Sequence, residues 1–175
     1  YKEALDDFEE VLKINPSDGD AINMIGIIYE EQGKIELAIE TYERGISLEE
    51  TAPESAAYCY INRANIYATQ EKFNLALADY TKAIELSPED IYGYTMLGDF
   101  YKNELKQPYN AIEKYTAAIN IDSASSYAWC QRFRTYGDLH DYNMAINDCE
   151  YIMSNIDSND VVTMNWIGVY YLSLI

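Results

Sequence analysis

The chain contains 175 residues, and its 12 Lys and Arg against 30 Asp and Glu give a formal net charge of −18. With 49% apolar residues and only four prolines, the composition indicates a folded protein of one domain or a short repeat array. The negative charge argues against direct binding to DNA, RNA or anionic membrane surfaces, because such binding depends on Lys and Arg.

Cysteine and histidine are too few and too scattered for most catalytic or metal-binding sites. The three cysteines, Cys59, Cys130 and Cys149, lack zinc-like spacing, and each falls in a helical apolar pattern typical of a reduced core thiol. The single histidine, His140, falls in a predicted turn and is interpreted as solvated. We therefore expect no enzyme activity, no cofactor and no metal. The sequence leaves the compartment open, with the cytoplasm favoured.

Two sets of residues recur along the chain with a period near 34. In the first set an alanine precedes an aromatic or similar residue by four positions, and the alanines are 34, 38, 35 and 34 residues apart. In the second set a small residue precedes a tyrosine by three positions, and the tyrosines are 38, 34, 35 and 35 residues apart. The first set is Ala4/Phe8, Ala38/Tyr42, Ala76/Tyr80, Ala111/Tyr115 and Ala145/Cys149, and the second is Gly26/Tyr29, Ala64/Tyr67, Gly98/Tyr101, Phe133/Tyr136 and Gly168/Tyr171. Two sets in phase indicate an internal repeat.

Each period predicts two helices of about 14 residues joined by a short polar turn. The turns are expected at residues 31–34, 70–72 and 139–141, and Pro16 and Pro88 follow the ends of two second helices. In each repeat the small residue of the first helix is expected to let the second helix approach closely. The tyrosine that follows, such as Tyr29, is expected to fill the space between them.

The pattern resembles the tetratricopeptide repeat, a helix pair of 34 residues. The clearest matches are Leu97-Gly98-x-x-Tyr101 and Ala76-x-x-x-Tyr80-x-x-Ala83. The resemblance implies an all-α, right-handed α-solenoid of helix-turn-helix repeats that acts as a protein-interaction scaffold. One repeat departs from the pattern, because Phe133 replaces the small residue and Cys149 replaces the aromatic. These two positions are expected to face each other, so that a larger side chain is exchanged for a smaller one.

The phase of the repeats predicts a single array with a half repeat at each end. The half repeats are 1–16 and 160–175, the complete repeats are 19–52, 57–90, 91–125 and 126–159, and extra residues fall near 51–55, 103–108 and 157–160. This phase is expected for a piece of a longer array. The terminal helix at 161–175, which carries Trp166, is apolar. It is therefore a candidate for homo-oligomer contacts, either head-to-tail against residues 1–13 or as a two-fold pair.

Two arginines share one position of the repeat, and each has an aspartate sixteen residues later. Arg63 precedes Asp79, and Arg132 precedes Asp148, whereas the other two complete repeats have neither residue in these positions. Antiparallel helices joined by a short turn bring the two positions together. We therefore expect two structural ion pairs, each bridging the helices of one repeat.

The remaining face of each first helix, by resemblance to the family, lines a concave groove for an extended or helical peptide. The expected groove residues are Asn23, Ile27, Tyr58, Asn62, Asn65, Tyr92, Met96, Asp99, Tyr127, Gln131 and Arg134. Tyr58, Tyr92 and Tyr127 recur in one position, which predicts either an aromatic column along the groove or packing between neighbouring repeats. Asn62 and Asn65 are expected to lie off the packing face, free to bond a peptide backbone.

Family members that grip the carboxylates of chaperone tails use a clamp of Lys, Asn, Asn, Lys and Arg. The matching positions here are Asn23, Ile27, Asn62, Tyr92 and Met96 or, one repeat later, Ile61, Asn65, Met96, Tyr127 and Gln131. Neither set offers a cation, so no chaperone-tail clamp is expected. The expected partner is a basic or neutral protein segment. The alternatives are a self-assembly module and the interaction arm of a larger enzyme.

Overall fold

The computed structural model describes residues 1–155, and all regular structure within this range is α-helical. The expected helix at 161–175, and any pairing of molecules through it, lies outside the described residues. None of the helices within 1–155 combines the length and the hydrophobicity needed to cross a bilayer. The helices are α1 (Lys2–Ile14), α2 (Gly19–Glu31), α3 (Ile35–Ile46), α4 (Pro53–Thr69), α5 (Phe73–Leu86), α6 (Ile91–Asn103), α7 (Pro108–Ile121), α8 (Ser126–Asp138) and α9 (Tyr142–Asn155).

The chain divides into two compact units, Tyr1–Gly93 and Tyr94–Ile175, and the boundary falls within α6. In the first unit, α2 packs against α1, α3 and α4, and α4 also packs against α3 and α5. In the second unit, α8 packs against α7 and α9. The pairs α2 and α3, α4 and α5, and α8 and α9 thus follow the predicted helix-turn-helix pattern.

The turn inside each helix pair contains one residue in the left-handed backbone region. The residues are Gly33 (φ 71°), Glu71 (φ 58°), Lys106 (φ 54°) and His140 (φ 60°). Only the first is glycine, which adopts this conformation without a steric penalty. His140 is exposed, and one of its ring nitrogens lies 2.8 Å from the hydroxyl oxygen of Tyr142. The histidine is therefore a solvated turn residue, as expected.

The extra residues near 51–55 lengthen a helix. The helix α4 begins at Pro53 and has 17 residues, against 13 in α2. Proline is well suited to the first turn of a helix, where its missing N–H would have no intrahelical partner. The insertion therefore adds about one turn to the amino end of α4, ahead of the predicted repeat start at 57.

The close approach of the paired helices depends on glycine facing a tyrosine ring. A Cβ atom built on Gly26 would lie 2.3 Å from Tyr42 Cε1, and one on Gly98 would lie 2.5 Å from Tyr115 Cε1. Both tyrosines are fully buried. The ring that lies against Gly26 is therefore that of Tyr42 on the second helix, and not that of Tyr29. Tyr29 is partly buried and packs against the cluster that contains Ala38 and Tyr42, so it also contributes to the packing between the two helices.

In the fourth helix pair, α8 and α9, both unusual side chains are buried. Phe133 is 6% exposed and Cys149 is 1% exposed. Cys59 is also a buried free thiol, and burial raises its pKa to about 12, so that it is protonated at neutral pH. Cys130 is only half-buried on α8 and is not a core residue. The prediction of three core thiols is therefore wrong at this position.

Candidate functional site

Two neighbouring tyrosines form an exposed aromatic pair in the first unit. Tyr58 on α4 and Tyr92 at the start of α6 are 37% and 39% exposed, and their ring centroids are 5.9 Å apart. A hydrogen bond to Asp90 raises the pKa of Tyr58 to about 12, so its hydroxyl remains protonated at neutral pH. The two rings contact each other and still offer more than a third of their surface, and the aromatic column along a groove that would include Tyr127 stays a prediction.

Amide side chains lie one helical turn along α4 from the aromatic pair. Asn62 is four residues from Tyr58 and therefore shares its face of the helix. The Nδ2 of Asn62 donates to Asn23 Oδ1 on α2 at 2.8 Å, so the two amides are adjacent and half-buried. Ile27, also expected on this face, packs partly against the buried cluster that contains Tyr42. The described face is thus a pair of tyrosines next to a pair of asparagines.

Asn65 has a different role from the one expected. The hydroxyl of Tyr80 donates to Asn65 Oδ1 at 2.5 Å, and Tyr80 is only 2% exposed. The amide oxygen of Asn65 is therefore committed to a buried side chain of α5. The expectation that Asn65 lies off the packing face, and is free to bind a peptide, is wrong.

Asp99 is likewise committed to internal hydrogen bonds in the second unit. Its Oδ1 accepts from the hydroxyl of Tyr115 at 2.7 Å, and its Oδ2 accepts from the hydroxyl of Tyr127. Burial, followed by the charge of Asp99, raises the pKa of Tyr115. Asp99 thus provides the hydrogen-bond acceptor for the fully buried hydroxyl of Tyr115. It also bonds Tyr127, a half-exposed residue of α8.

These hydrogen bonds recur, and sequence reasoning missed them. Asn65 follows Ala64 and Asp99 follows Gly98, so a polar side chain after the small residue accepts from the tyrosine of the next helix. In the first complete repeat this position is Ile27, and the hydroxyl of Tyr42 donates instead to Glu30 Oε2 at 3.0 Å. The signal in the sequence is a polar residue 15 or 16 positions before a repeat tyrosine.

Replacing Asp99 with alanine is expected to lower the free energy of unfolding by about 1–3 kcal/mol, because the buried hydroxyl of Tyr115 loses its acceptor. Asp99→Asn keeps an amide oxygen at the same place, so a smaller loss is expected. Urea unfolding followed by circular dichroism measures both variants. If the two variants lose the same amount, the oxygen that accepts from Tyr115 is not the important feature.

Three other expected groove residues lie in the second unit. Gln131 and Arg134 each lower the pKa of Tyr127, although burial and the bond to Asp99 raise it overall. These side chains are therefore close enough to Tyr127 to act on its hydroxyl. Met96, on α6, is half-buried.

Arg63 and Asp79 form a two-pronged ion pair between α4 and α5. Arg63 Nε donates to Asp79 Oδ2 at 2.8 Å, and Arg63 Nη2 donates to Asp79 Oδ1 at 2.9 Å. The guanidinium carbon lies 5.5 Å from the ring centroid of Tyr60 and 5.6 Å from that of Tyr67. Glu43 Oε1, 3.6 Å from Arg63 Nη1, is a second anionic partner.

Arg132 and Asp148 repeat this arrangement between α8 and α9, with deeper burial. The two Arg132–Asp148 bonds are 2.9 and 2.7 Å long, and Arg132 Nη1 also donates to Thr116 Oγ1 at 3.0 Å. The guanidinium carbon lies 4.6 Å from the Trp129 ring centroid. Burial raises the pKa of Asp148 although Arg132 acts in the opposite direction. Desolvation thus offsets much of the attraction, which is typical of buried ion pairs.

A cavity of about 450 Å³ lies beside the aromatic pair, at the carboxyl end of α5. We call it the acidic cavity, because Glu54, Glu89 and Asp90 line it together with Tyr58 and Ser87. The described part of the chain holds no group of three or more metal-ligating side chains with suitable geometry. The sequence did not predict this cavity, since it depends on the conformation of the segment between α5 and α6.

Comparison with known families identifies the repeats of the first unit. The family model described as the tetratricopeptide repeat matches residues 19–51 and residues 57–90. Both segments are thus assigned as tetratricopeptide repeats. Proteins that contain this repeat typically act as scaffolds for protein–protein interaction.

Similar proteins support the same fold. Anaphase-promoting complex subunit 3 of Schizosaccharomyces pombe is 22% identical over 120 residues, which cover 69% of this chain and 17% of that protein. Small glutamine-rich tetratricopeptide repeat-containing protein 2 of Saccharomyces cerevisiae is 33% identical over 87 residues, which cover 50% of this chain and 24% of that protein. The chain thus spans less than a quarter of the length of these relatives.

A solved structure with a similar fold is YrrB, described as a tetratricopeptide repeat protein with an unusual peptide-binding site. Its TM-score is 0.65 at 20% identity, and the alignment covers 95% of this chain and 83% of YrrB. At this level of identity the likeness shows a shared α-solenoid fold.

Proposed function

We propose that the first unit binds an extended or helical segment of a partner protein on the face formed by α2, α4 and the start of α6. The observation that carries this proposal is the exposed aromatic pair, Tyr58 and Tyr92. Tyrosine is enriched in protein interfaces because it offers a large rigid contact area together with a hydroxyl group. The description of YrrB, a protein with this fold, as having a peptide-binding site supports the proposal.

The polar groups beside the aromatic pair favour a peptide backbone as the ligand. Asn23 and Asn62 are adjacent, and an amide pair can exchange its mutual hydrogen bond for bonds to backbone N–H and C=O groups. The positions of the chaperone-tail clamp hold no Lys or Arg, so an acidic carboxyl terminus lacks a charged partner here. Because the chain carries a charge of −18, a basic or neutral segment is the favoured ligand.

The second unit supplies further candidate contacts. Within that unit, Met96, Tyr127, Gln131 and Arg134 are proposed as a separate set of contacts for a partner protein. Asp99 is assigned to internal packing, because both of its carboxylate oxygens already accept hydrogen bonds from tyrosines.

The test compares matched tyrosine variants in binding to peptides selected from a phage-displayed library. Tyr58→Ala/Tyr92→Ala is expected to weaken binding by ten-fold or more, since truncating an interface anchor costs about 2 kcal/mol or more. Tyr109→Ala is the control, because Tyr109 is 74% exposed and lies on α7. Fluorescence anisotropy measures the affinities. The proposal fails if the double variant binds the selected peptides as tightly as the control does.

A further inference from the structure

We propose that the acidic cavity receives an arginine side chain of the partner segment. This inference rests on the proposed function and adds the chemical identity of one ligand residue. The cavity is lined by three carboxylates and by the ring of Tyr58, and none of its eight lining residues is positively charged. Within the described residues no ion pair involves Glu54, Glu89 or Asp90. The charge of the cavity is therefore available to an incoming cation.

The carboxylate of Asp90 is held in a fixed position at the cavity. Its Oδ1 accepts from the backbone N–H of Tyr92 at 2.9 Å, and it also bonds the hydroxyl of Tyr58. Both partners are neutral donors, so they orient the carboxylate without cancelling its charge. A preorganised anion next to an aromatic ring is a suitable partner for a guanidinium group.

Three helix ends border the acidic cavity. Residues 87–90 follow directly after α5, so the cavity lies at the carboxyl end of that helix. The last carbonyl groups of a helix carry the negative end of its dipole, which favours a cation. The amino ends of α4 and α6, which also border the cavity, act in the opposite direction, so the negative potential of the cavity comes from its three carboxylates.

The chain itself binds arginine in the same chemical setting at two internal positions. Arg63 lies near two tyrosine rings and pairs with Asp79, and Arg132 lies over Trp129 and pairs with Asp148. The acidic cavity offers carboxylates and a tyrosine ring without an arginine. Arginine is preferred over lysine because a planar guanidinium can stack on the ring and bond several oxygens at once.

Two further observations agree with an organic cation. The hydroxyl oxygen of Ser87 in the cavity wall is buried and makes no hydrogen bond, an arrangement that costs free energy. Because Ser87 lines the cavity, a guanidinium N–H that enters it is a suitable donor to this oxygen. The carboxylates are not grouped as metal ligands within the described residues, which argues against a metal ion as the occupant.

The first test uses two small probes of nearly the same shape. N-acetyl-arginine N-methylamide and its uncharged citrulline counterpart are titrated into the ¹⁵N-labelled chain and followed by chemical shifts. The arginine probe is expected to shift the amides of Tyr58 and residues 87–90 at concentrations about ten-fold lower than the citrulline probe. Equal responses to the two probes would overturn the proposal.

Charge-matched variants separate the cavity from the overall negative field. Glu54→Gln/Glu89→Gln/Asp90→Asn is expected to abolish the selective response, and Asn at position 90 retains an oxygen for the Tyr92 N–H and is a good helix N-cap. The control, Glu3→Gln/Glu36→Gln/Glu40→Gln, removes the same charge from exposed positions of α1 and α3 and should respond like the original chain. An equal loss in both triple variants would show a general charge effect and contradict the proposal.

Selected peptides distinguish failure of this inference from failure of the proposed function. Replacing one arginine of a bound peptide with citrulline is expected to weaken its binding by ten-fold or more in the original chain and little in the cavity variant. Peptides that depend on Tyr58 and Tyr92 but contain no essential arginine would overturn the inference and leave the proposed function standing. Peptides that ignore both tyrosines would overturn the proposed function.

Discussion

Replacing Asp148 with alanine is expected to lower the free energy of unfolding by about 3–5 kcal/mol, the usual cost of leaving a buried charge without its partner. The side chains of Arg132 and Asp148 are only 12% and 4% exposed. After the substitution, the guanidinium keeps its contact with Trp129 and Thr116 but loses both hydrogen bonds to a carboxylate. Chemical unfolding by urea, followed by circular dichroism, measures the loss.

Asp79→Ala is the matched control for this prediction. The side chains of Arg63 and Asp79 are 16% and 10% exposed, and Glu43 lies 3.6 Å from the guanidinium as an alternative anion. We therefore expect a clearly smaller loss than for Asp148. Replacing both partners by apolar residues, as in Arg132→Met/Asp148→Leu, is expected to be nearly neutral, because desolvation offsets the attraction within the pair. A loss below about 1 kcal/mol for Asp148→Ala would contradict the assigned burial.

Adding a methyl group at Gly26 or Gly98 is expected to destabilise the chain by about 1–3 kcal/mol, the usual cost of overpacking. The new Cβ would lie 2.3 Å from the ring of Tyr42, or 2.5 Å from that of Tyr115, and both rings are fully buried. The clash is expected to outweigh the helix propensity of alanine, which favours Ala over Gly by about 1 kcal/mol. Thermal unfolding of Gly26→Ala and Gly98→Ala tests the balance.

The equivalent position of the second complete repeat provides the reverse substitution. Ala64 is fully buried there, opposite Tyr80, so this helix pair already accommodates a Cβ atom. Ala64→Gly is expected to cost at least about 1 kcal/mol, because glycine has the lower helix propensity and a buried methyl group is lost. Both directions of exchange should therefore destabilise the chain. An increase in stability for either glycine variant would show that the rings of Tyr42 and Tyr115 move aside without cost.

Much of the fold could be predicted because a period near 34 fixes the phase of every helix. The Arg63–Asp79 and Arg132–Asp148 ion pairs could be predicted for the same reason, since two of the complete repeats carry both residues and two carry neither. The extension of α4 at its amino end could not be predicted from the sequence. Residues 51–55 suit a loop and a first helical turn equally, and only packing selects the turn.

The part of the site that escaped prediction depends on geometry between helices. Asn65 and Asp99 occupy positions that point away from the apolar stripe, so periodicity assigned them to a binding face. Their oxygens nonetheless reach the hydroxyl groups of Tyr80 and Tyr115, because a tyrosine ring spans the interface and places its hydroxyl group on the far side. The spacing of residues along a helix does not show how far a side chain reaches into the neighbouring helix.

Binding through Tyr58 and Tyr92 is tested most directly by mapping a selected peptide onto the ¹⁵N-labelled chain by chemical-shift perturbation. The expected result is a contiguous set of shifted amides in α2, α4 and the start of α6 that includes Asn23, Asn62 and both tyrosines. The Tyr58→Ala/Tyr92→Ala variant should remove these shifts at the same peptide concentration. Shifts confined to α3 and α5, the second helices of the same repeats, would contradict the assignment of the binding face.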